Sequence, residues 1–143
     1  MKDWLLLINY EGKVTSGSAM TLVYQNKKFI AYVPYYTHSV APEGRDCDDC
    51  HQNEAVLKIQ NGEKVPVVSF NNGKIEPWKG VVPVMKGKLD WVFLNRTKKG
   101  WEPVPTTEDP KVQFAAYGTP LTVKQFQKLI EKASPEDARR ETK

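Results

Sequence analysis

The chain has few soft metal ligands and no long apolar run: its 143 residues include two cysteines, two histidines and three methionines. No apolar run exceeds five residues, as at 4–8, which is too short for a membrane-spanning helix or for the apolar part of a secretory signal peptide. No phosphate loop, nucleophile triad or pair of catalytic carboxylates stands out. We therefore expect no membrane span, and a protein that is not an enzyme.

Positive charge exceeds negative charge only slightly, with 21 lysines and arginines against 17 acidic residues and a net charge of +4. The basic residues are dispersed, which is typical of a solvated surface rather than of a nucleic-acid-binding stripe. The length fits one domain. We therefore expect a single domain over 1–143 and no nucleic-acid partner.

Three of the four cysteine and histidine residues lie within five positions, in the run Arg45-Asp46-Cys47-Asp48-Asp49-Cys50-His51. Cys-x-x-Cys-His is the signature of covalent haem attachment. In this pattern two thiols add to the two vinyl groups of the ring, and the adjoining imidazole binds the iron. The sequence therefore predicts one haem c, with Cys47 and Cys50 as its anchors and His51 as an axial ligand.

Two other interpretations of the same run remain open. A structural zinc site would use Cys47, Cys50, His51 and His38, but adjacent Cys50 and His51 would then both have to bind one tetrahedral ion. A redox-active dithiol is expected to open a helix after a strand. We predict instead a polar loop between strands, where Asp46, Asp48 and Asp49 disfavour the reactive thiolate by charge repulsion.

The sixth ligand of the iron is not fixed by spacing. His38 is our preferred candidate because it lies nine residues before Cys47 in a loop bracketed by prolines. Met85 and Met20 are the alternatives; a second imidazole gives a low reduction potential, whereas a thioether raises it. An open or displaceable sixth position would instead indicate a haem-based sensor or ligand-binding domain.

The run Thr37-His38-Ser39-Val40-Ala41-Pro42, together with the motif that follows it, resembles segments of bacterial multihaem c-type cytochromes, especially the octahaem tetrathionate-reductase-like group. The resemblance covers about fifteen residues. It implies that His38 is a distal haem ligand, to its own or to a neighbouring haem. This chain has one attachment motif only, so the resemblance implies electron transfer as a class and not multihaem catalysis.

Covalent haem also predicts a compartment, because it is attached outside the cytoplasm. We expect a periplasmic or other extracytoplasmic protein, although the numbered chain contains no leader. Either a leader has been removed or the chain is a piece of a longer exported protein. The expected partners are redox proteins and other haem domains or subunits.

Alternating apolar segments separated by glycine- and asparagine-containing turns predict a mainly β fold of antiparallel hairpins, as a small sandwich or barrel, with an α+β fold as the alternative. We assign the β-rich, haem-holding part to 1–104 and a C-terminal helical segment to 119–141. The predicted strands are 4–10, 18–25, 29–33, 55–59, 65–70, 81–85 and 91–94. Pro66 and Pro83 are expected at edges or bulges, and 101–110 is expected to be an extended connector.

The C-terminal segment carries the clearest helical signal. Thr122 and Gln125 form a capping-box pattern, and apolar residues recur at helical spacing at 123, 126, 129, 130 and 133. This apolar stripe is expected to pack on the sheet. A second short helix is predicted to begin at Ser134.

Overall fold

The computed structural model describes residues 4–35 and 46–132. Over these residues the protein is mainly β with a C-terminal helix, and its sheets are open rather than closed into a barrel. The predicted β class is confirmed. The predicted helix at 134 and the whole segment 36–45 lie outside the described residues.

The elements are short apart from the first three strands. They are, in chain order, β1 Trp4–Tyr10, β2 Lys13–Tyr24, β3 Lys27–Pro34, α1 Cys47–Cys50, α2 Glu54–Gln60, β4 Val65–Asn71, β5 Lys74–Pro77, β6 Gly80–Pro83, β7 Leu89–Trp91, β8 Leu94–Thr97, β9 Gly100–Pro103, β10 Lys111–Phe114, β11 Gly118–Thr119 and α3 Val123–Ile130.

The main sheet has the strand order β10-β3-β2-β1-β11, and β6 also pairs with β1. The pairs β1–β2 and β2–β3 are antiparallel, whereas β6 runs parallel to β1 and β10 runs parallel to β3. A three-stranded sheet β5-β4-β7 and a hairpin β8-β9 complete the β structure of the described residues. The long-range parallel pairs bring residues near 80 and 111 onto the N-terminal hairpins.

The two N-terminal hairpins follow from their turn residues. Glu11 and Gly12 have φ values of 51° and 78°, and Gln25 and Asn26 have 49° and 59°. Two consecutive left-handed residues make the tight turn whose twist suits antiparallel strands. Gly12 takes this conformation at no steric cost. Strand β1 matches the predicted strand 4–10 and β3 contains the predicted strand 29–33, whereas β2 begins five residues before the predicted 18–25 and ends at Tyr24, before the turn residue Gln25.

One apolar cluster joins the main sheet to the helices. Leu6 and Ile8 of β1, Val56 of α2 and Val82 of β6 are fully buried or nearly so, and Leu129 of α3 is 5% exposed. Each such side chain contributes about 1.5–3 kcal/mol to folding by leaving water. The core therefore spans both the 1–104 part and the C-terminal helical segment.

Residues 55–59 form helix α2, so the predicted strand there is wrong. The short apolar run fits either structure, but Asn53 caps the helix and the buried residues Ala55, Val56 and Ile59 share one helical face. The prediction of a loop at the Cys-x-x-Cys-His motif is also wrong, because Cys47–Cys50 form the one-turn helix α1. In both segments a local capping interaction favours the helix over the predicted structure.

Smaller differences lie after residue 65. The predicted strand 91–94 is divided between β7 and β8, and the expected connector 101–110 begins with β9. The prolines agree with prediction: the register between β4 and β7 shifts between Pro66 and Val68, and β6, which contains Pro83, pairs only with β1 among the described strands. Proline lacks the donor that an inner ladder needs.

An aromatic cluster connects β3, β7 and β10. The Tyr32 ring stacks on Phe114 with centroids 5.1 Å apart, and the Trp91 Nε1–H donates to the Tyr32 hydroxyl at 2.8 Å. Burial raises the pKa of Tyr32 to about 12, although the hydrogen bond from Trp91 works in the opposite direction. The cluster therefore holds a neutral phenol in the interior.

Comparing Tyr32→Phe with the wild type tests this cluster. The unfolded chain loses the phenol proton near pH 10.0 and the folded chain near pH 12. The contribution of this phenol to the free energy of unfolding is therefore constant below pH 10.0 and falls as the pH rises from 10.0 to about 12. Two pKa units correspond to about 3 kcal/mol. We expect urea unfolding to show the stability difference between wild type and variant decreasing by up to this amount across the window.

The matched control is Tyr24→Phe, since Tyr24 is 62% exposed. Because this substitution removes a hydroxyl that already contacts water, the change across the same window should be larger for Tyr32→Phe than for Tyr24→Phe. A constant difference for Tyr32→Phe would contradict a buried neutral phenol.

Candidate functional site

The attachment motif folds into a single helical turn. Helix α1 begins at Cys47 and ends at Cys50, after Asp46 in extended conformation. The Asp46 backbone N–H donates to the Asp49 carboxylate at 2.8 Å, and the Asp49 N–H donates to the Asp46 carbonyl at 3.0 Å. These reciprocal bonds give a very short helix a defined start.

The helical turn places the two thiols on one side of the chain. Cys47 and Cys50 are three residues apart, the spacing that brings side chains next to each other on a helix. Both are partly exposed, and Cys50 packs against the apolar core. The pair is therefore accessible from one direction and supported by protein from the other.

His51 follows the helix directly and is fixed at both its backbone and its ring. Its N–H donates to the Cys47 carbonyl at 2.9 Å, and its ring Nδ1 lies 3.0 Å from the carbonyl oxygen of Glu131. A carbonyl oxygen only accepts, so in the neutral ring the proton is on Nδ1 and the lone pair is on Nε2. Histidines that bind metals are commonly oriented by such a bond.

A second hydrogen bond joins the motif to the same end of α3. Gln52 has a left-handed φ of 54°, and its N–H donates to the Leu129 carbonyl at 2.8 Å. Carbonyls in the last turn of a helix have no partner within the helix. The C-terminal end of α3 thus uses its unpaired carbonyls to hold the motif, and no pattern in the sequence indicates this contact.

Asn53 is the residue that connects the motif to the rest of the fold. Its Oδ1 accepts from the Val56 N–H at 2.8 Å and caps α2. Its Nδ2 donates to the carbonyls of Asp49 at 2.9 Å and Val81 at 2.8 Å. One side chain therefore joins α1, α2 and β6, and only its capping role has a signal in the sequence.

Four acidic side chains surround the motif: Asp46, Asp48, Asp49 and Glu54 are all exposed. Over 4–35 and 46–132, no group of three or more histidine, cysteine or acidic residues is arranged to hold a metal ion. The fourth member of the zinc set, His38, lies outside the described residues. The described ligands alone therefore do not make a zinc site.

The candidates for the sixth iron ligand are distributed over the molecule. Met20 is 71% exposed on β2. Met85 follows β6 and lines a groove that none of the described motif residues lines. No contact between either methionine and the described motif residues is observed, and His38, Met85 and Met20 all remain predictions.

The residues of the motif fit covalent haem. Two neighbouring thiols are accessible at one surface, and the next residue is an imidazole whose Nδ1 is occupied and whose Nε2 is available.

In the described part of the chain no helix is long and apolar enough to cross a bilayer.

No protein-family model, no curated protein and no solved structure matches this chain. The functional interpretation therefore depends on the motif and on the contacts that hold it.

Replacing Asn53 tests its connecting role. We expect Asn53→Ala to lower the free energy of unfolding by about 2 kcal/mol, because it removes a helix cap and the donors to two carbonyls, of which the Val81 carbonyl is in a partly buried hydrogen bond. Asn53→Ser keeps a capping oxygen and should lose about half as much. Equal stability of all three proteins in urea unfolding would show that these bonds do not hold the motif.

The tautomer of His51 can be measured directly. Long-range ¹⁵N–¹H NMR spectra of haem-free protein should show the proton of the neutral ring on Nδ1, because the Glu131 carbonyl accepts from it. His38→Gln removes the other histidine and makes the assignment unambiguous. A proton on Nε2 would contradict the arrangement described here.

Proposed function

We propose that this chain is a monohaem c-type cytochrome, or a cytochrome domain of a larger protein, that acts in electron transfer. The observation that carries the proposal is the orientation of His51: its Nδ1 bonds to the Glu131 carbonyl, directly after two cysteines on one helical turn. This combination presents two thiols and one imidazole lone pair together, as covalent haem requires.

Each residue has a defined role in this proposal. The thiols of Cys47 and Cys50 add across the two vinyl groups, sulfur bonding to one carbon and hydrogen to its neighbour, so no atom is lost. His51 Nε2 would bind the iron, and the Glu131 carbonyl keeps the ring oriented. His38 is the proposed ligand on the other face.

Bound haem supplies an iron that alternates between the ferric and ferrous states. The chain holds the ring, and it influences the potential through its axial ligands and the hydrogen bond to His51. We place the protein in the periplasm or another extracytoplasmic compartment. The exposed acidic residues beside the motif favour a redox partner with a basic contact surface, because opposite charges speed docking.

The test is to export the chain in a host that attaches haem. We expect an intact mass equal to the polypeptide plus one complete haem, and a reduced absorption spectrum of the c type. Cys47→Ala and Cys50→Ala should each lose one thioether, whereas Asp48→Asn, which changes a residue between them, should retain full attachment. Colourless protein with the mass of the bare chain would overturn the proposal, and bound zinc would identify the structural alternative.

Ligation is tested on the same material. If His38 is the sixth ligand, carbon monoxide should leave the reduced spectrum of the wild type unchanged and should shift that of His38→Gln. A carbon monoxide shift in the wild type would contradict the tightly ligated electron carrier and would indicate a ligand-binding sensor.

A further inference from the structure

A groove of about 720 Å³ lies apart from the motif, between β3, the β6–β7 turn and β10. This volume is typical of sites that bind small molecules. Apolar side chains supply most of its floor, including buried Ile30 and Val84 and the partly exposed rings of Trp91 and Phe114. An apolar body fits this floor better than water does.

The floor also contains a buried hydroxyl whose proton no described residue accepts. Tyr32 lines the groove and is 5% exposed. Its oxygen accepts from Trp91, but within the described residues nothing accepts from its O–H. A buried donor gains free energy when it finds an acceptor. The groove is therefore suited to a molecule that carries an oxygen.

The rim of the groove is charged differently at its two ends. Lys64 lies beside the β6–β7 turn, because the next residue, Val65, bonds to the Lys88 carbonyl, and Lys86 lies in that turn. Neither lysine has an ion pair among the described residues. Glu108 and Asp109 lie at the other end, next to the start of β3. The carbonyl of Thr106 accepts from Lys28 there, and β10 begins beside Phe29.

Two further charged residues line the groove. Asp90 is exposed and is the register partner of Pro66, two residues after Lys64, so the lysine end carries two lysines and one carboxylate. Lys28 already donates to the Thr106 carbonyl at 2.9 Å and lies 5.8 Å from the centre of the Phe93 ring. Over the described residues, the lining lysines whose side chains have neither an ion pair nor a hydrogen bond are thus Lys64 and Lys86 at this end, where they outnumber the carboxylate.

We infer that this groove binds a small aromatic monocarboxylate. The lysine end holds the carboxylate, the aromatic floor holds the ring, and the Tyr32 hydroxyl donates to an oxygen of the ligand. A second anionic group at the far side of the ring would meet Glu108 and Asp109. The groove therefore discriminates against dicarboxylates of the same shape.

Calorimetric titration of the full chain with a naphthoate is the test. We expect saturable binding at one site, weakened about threefold to tenfold by Lys86→Gln and by Tyr32→Phe, and weaker at high salt. Lys88→Gln changes the same turn and the same charge, but Lys88 does not line the groove; it should leave the affinity unchanged. A naphthalene dicarboxylate with its two charges at opposite ends should bind more weakly than the monoanion.

Three outcomes would overturn the inference: no saturable binding, equal loss in Lys86→Gln and Lys88→Gln, or a stronger effect of Leu22→Ser than of Lys86→Gln. Leu22 is 62% exposed on another face of the sheet and would report binding outside the groove. Circular dichroism of Tyr32→Phe shows whether the variant is folded. The readout does not depend on haem, so this inference and the proposed electron-transfer function fail separately.

Discussion

The arrangement of the candidate site depends on the C-terminal end of α3. Two carbonyls there, of Leu129 and Glu131, bond to Gln52 and His51 in the motif. A helix of four residues cannot keep its geometry alone, because helix nucleation is unfavourable. The apolar face of α3, with Phe126 and Leu129 buried, fixes the position of those carbonyls. Packing of one helix thus determines the orientation of an imidazole far from it in sequence.

The local parts of this arrangement are predictable from the sequence, and the long-range parts are not. The first two hairpins follow from turn residues such as Gly12 and Asn26, and α3 follows from the capping box at Thr122. The sequence pattern does not predict helix α2, because an apolar run of five residues fits a strand as well as a helix. The bond between His51 and Glu131 joins residues 80 positions apart, and no local pattern records such a pair.

The same distinction explains why the groove has no signature in the sequence. Its aromatic residues come from β3, β7, the β7–β8 connection and β10. The parallel pairing of β10 with β3 and the contacts of Tyr32 with Trp91 and Phe114 bring three of these segments together. Read along the chain, each of these rings is an ordinary core residue. Sequence alone cannot show that the described neighbours of Tyr32 include a donor to its hydroxyl but no acceptor from it, because a hydroxyl can both donate and accept.

Strand β6 links the two regions physically. Its Val81 carbonyl accepts from Asn53 beside the motif, whereas Val84, just beyond its other end, lines the groove. Three residues of extended chain separate these points by about 10 Å. Val81, Val82 and Val84 are each almost fully buried, and close-packed interiors transmit displacement rather than absorbing it. The residues of β6 and its immediate continuation therefore support the motif at one end, through the Asn53 bond, and form part of the groove at the other.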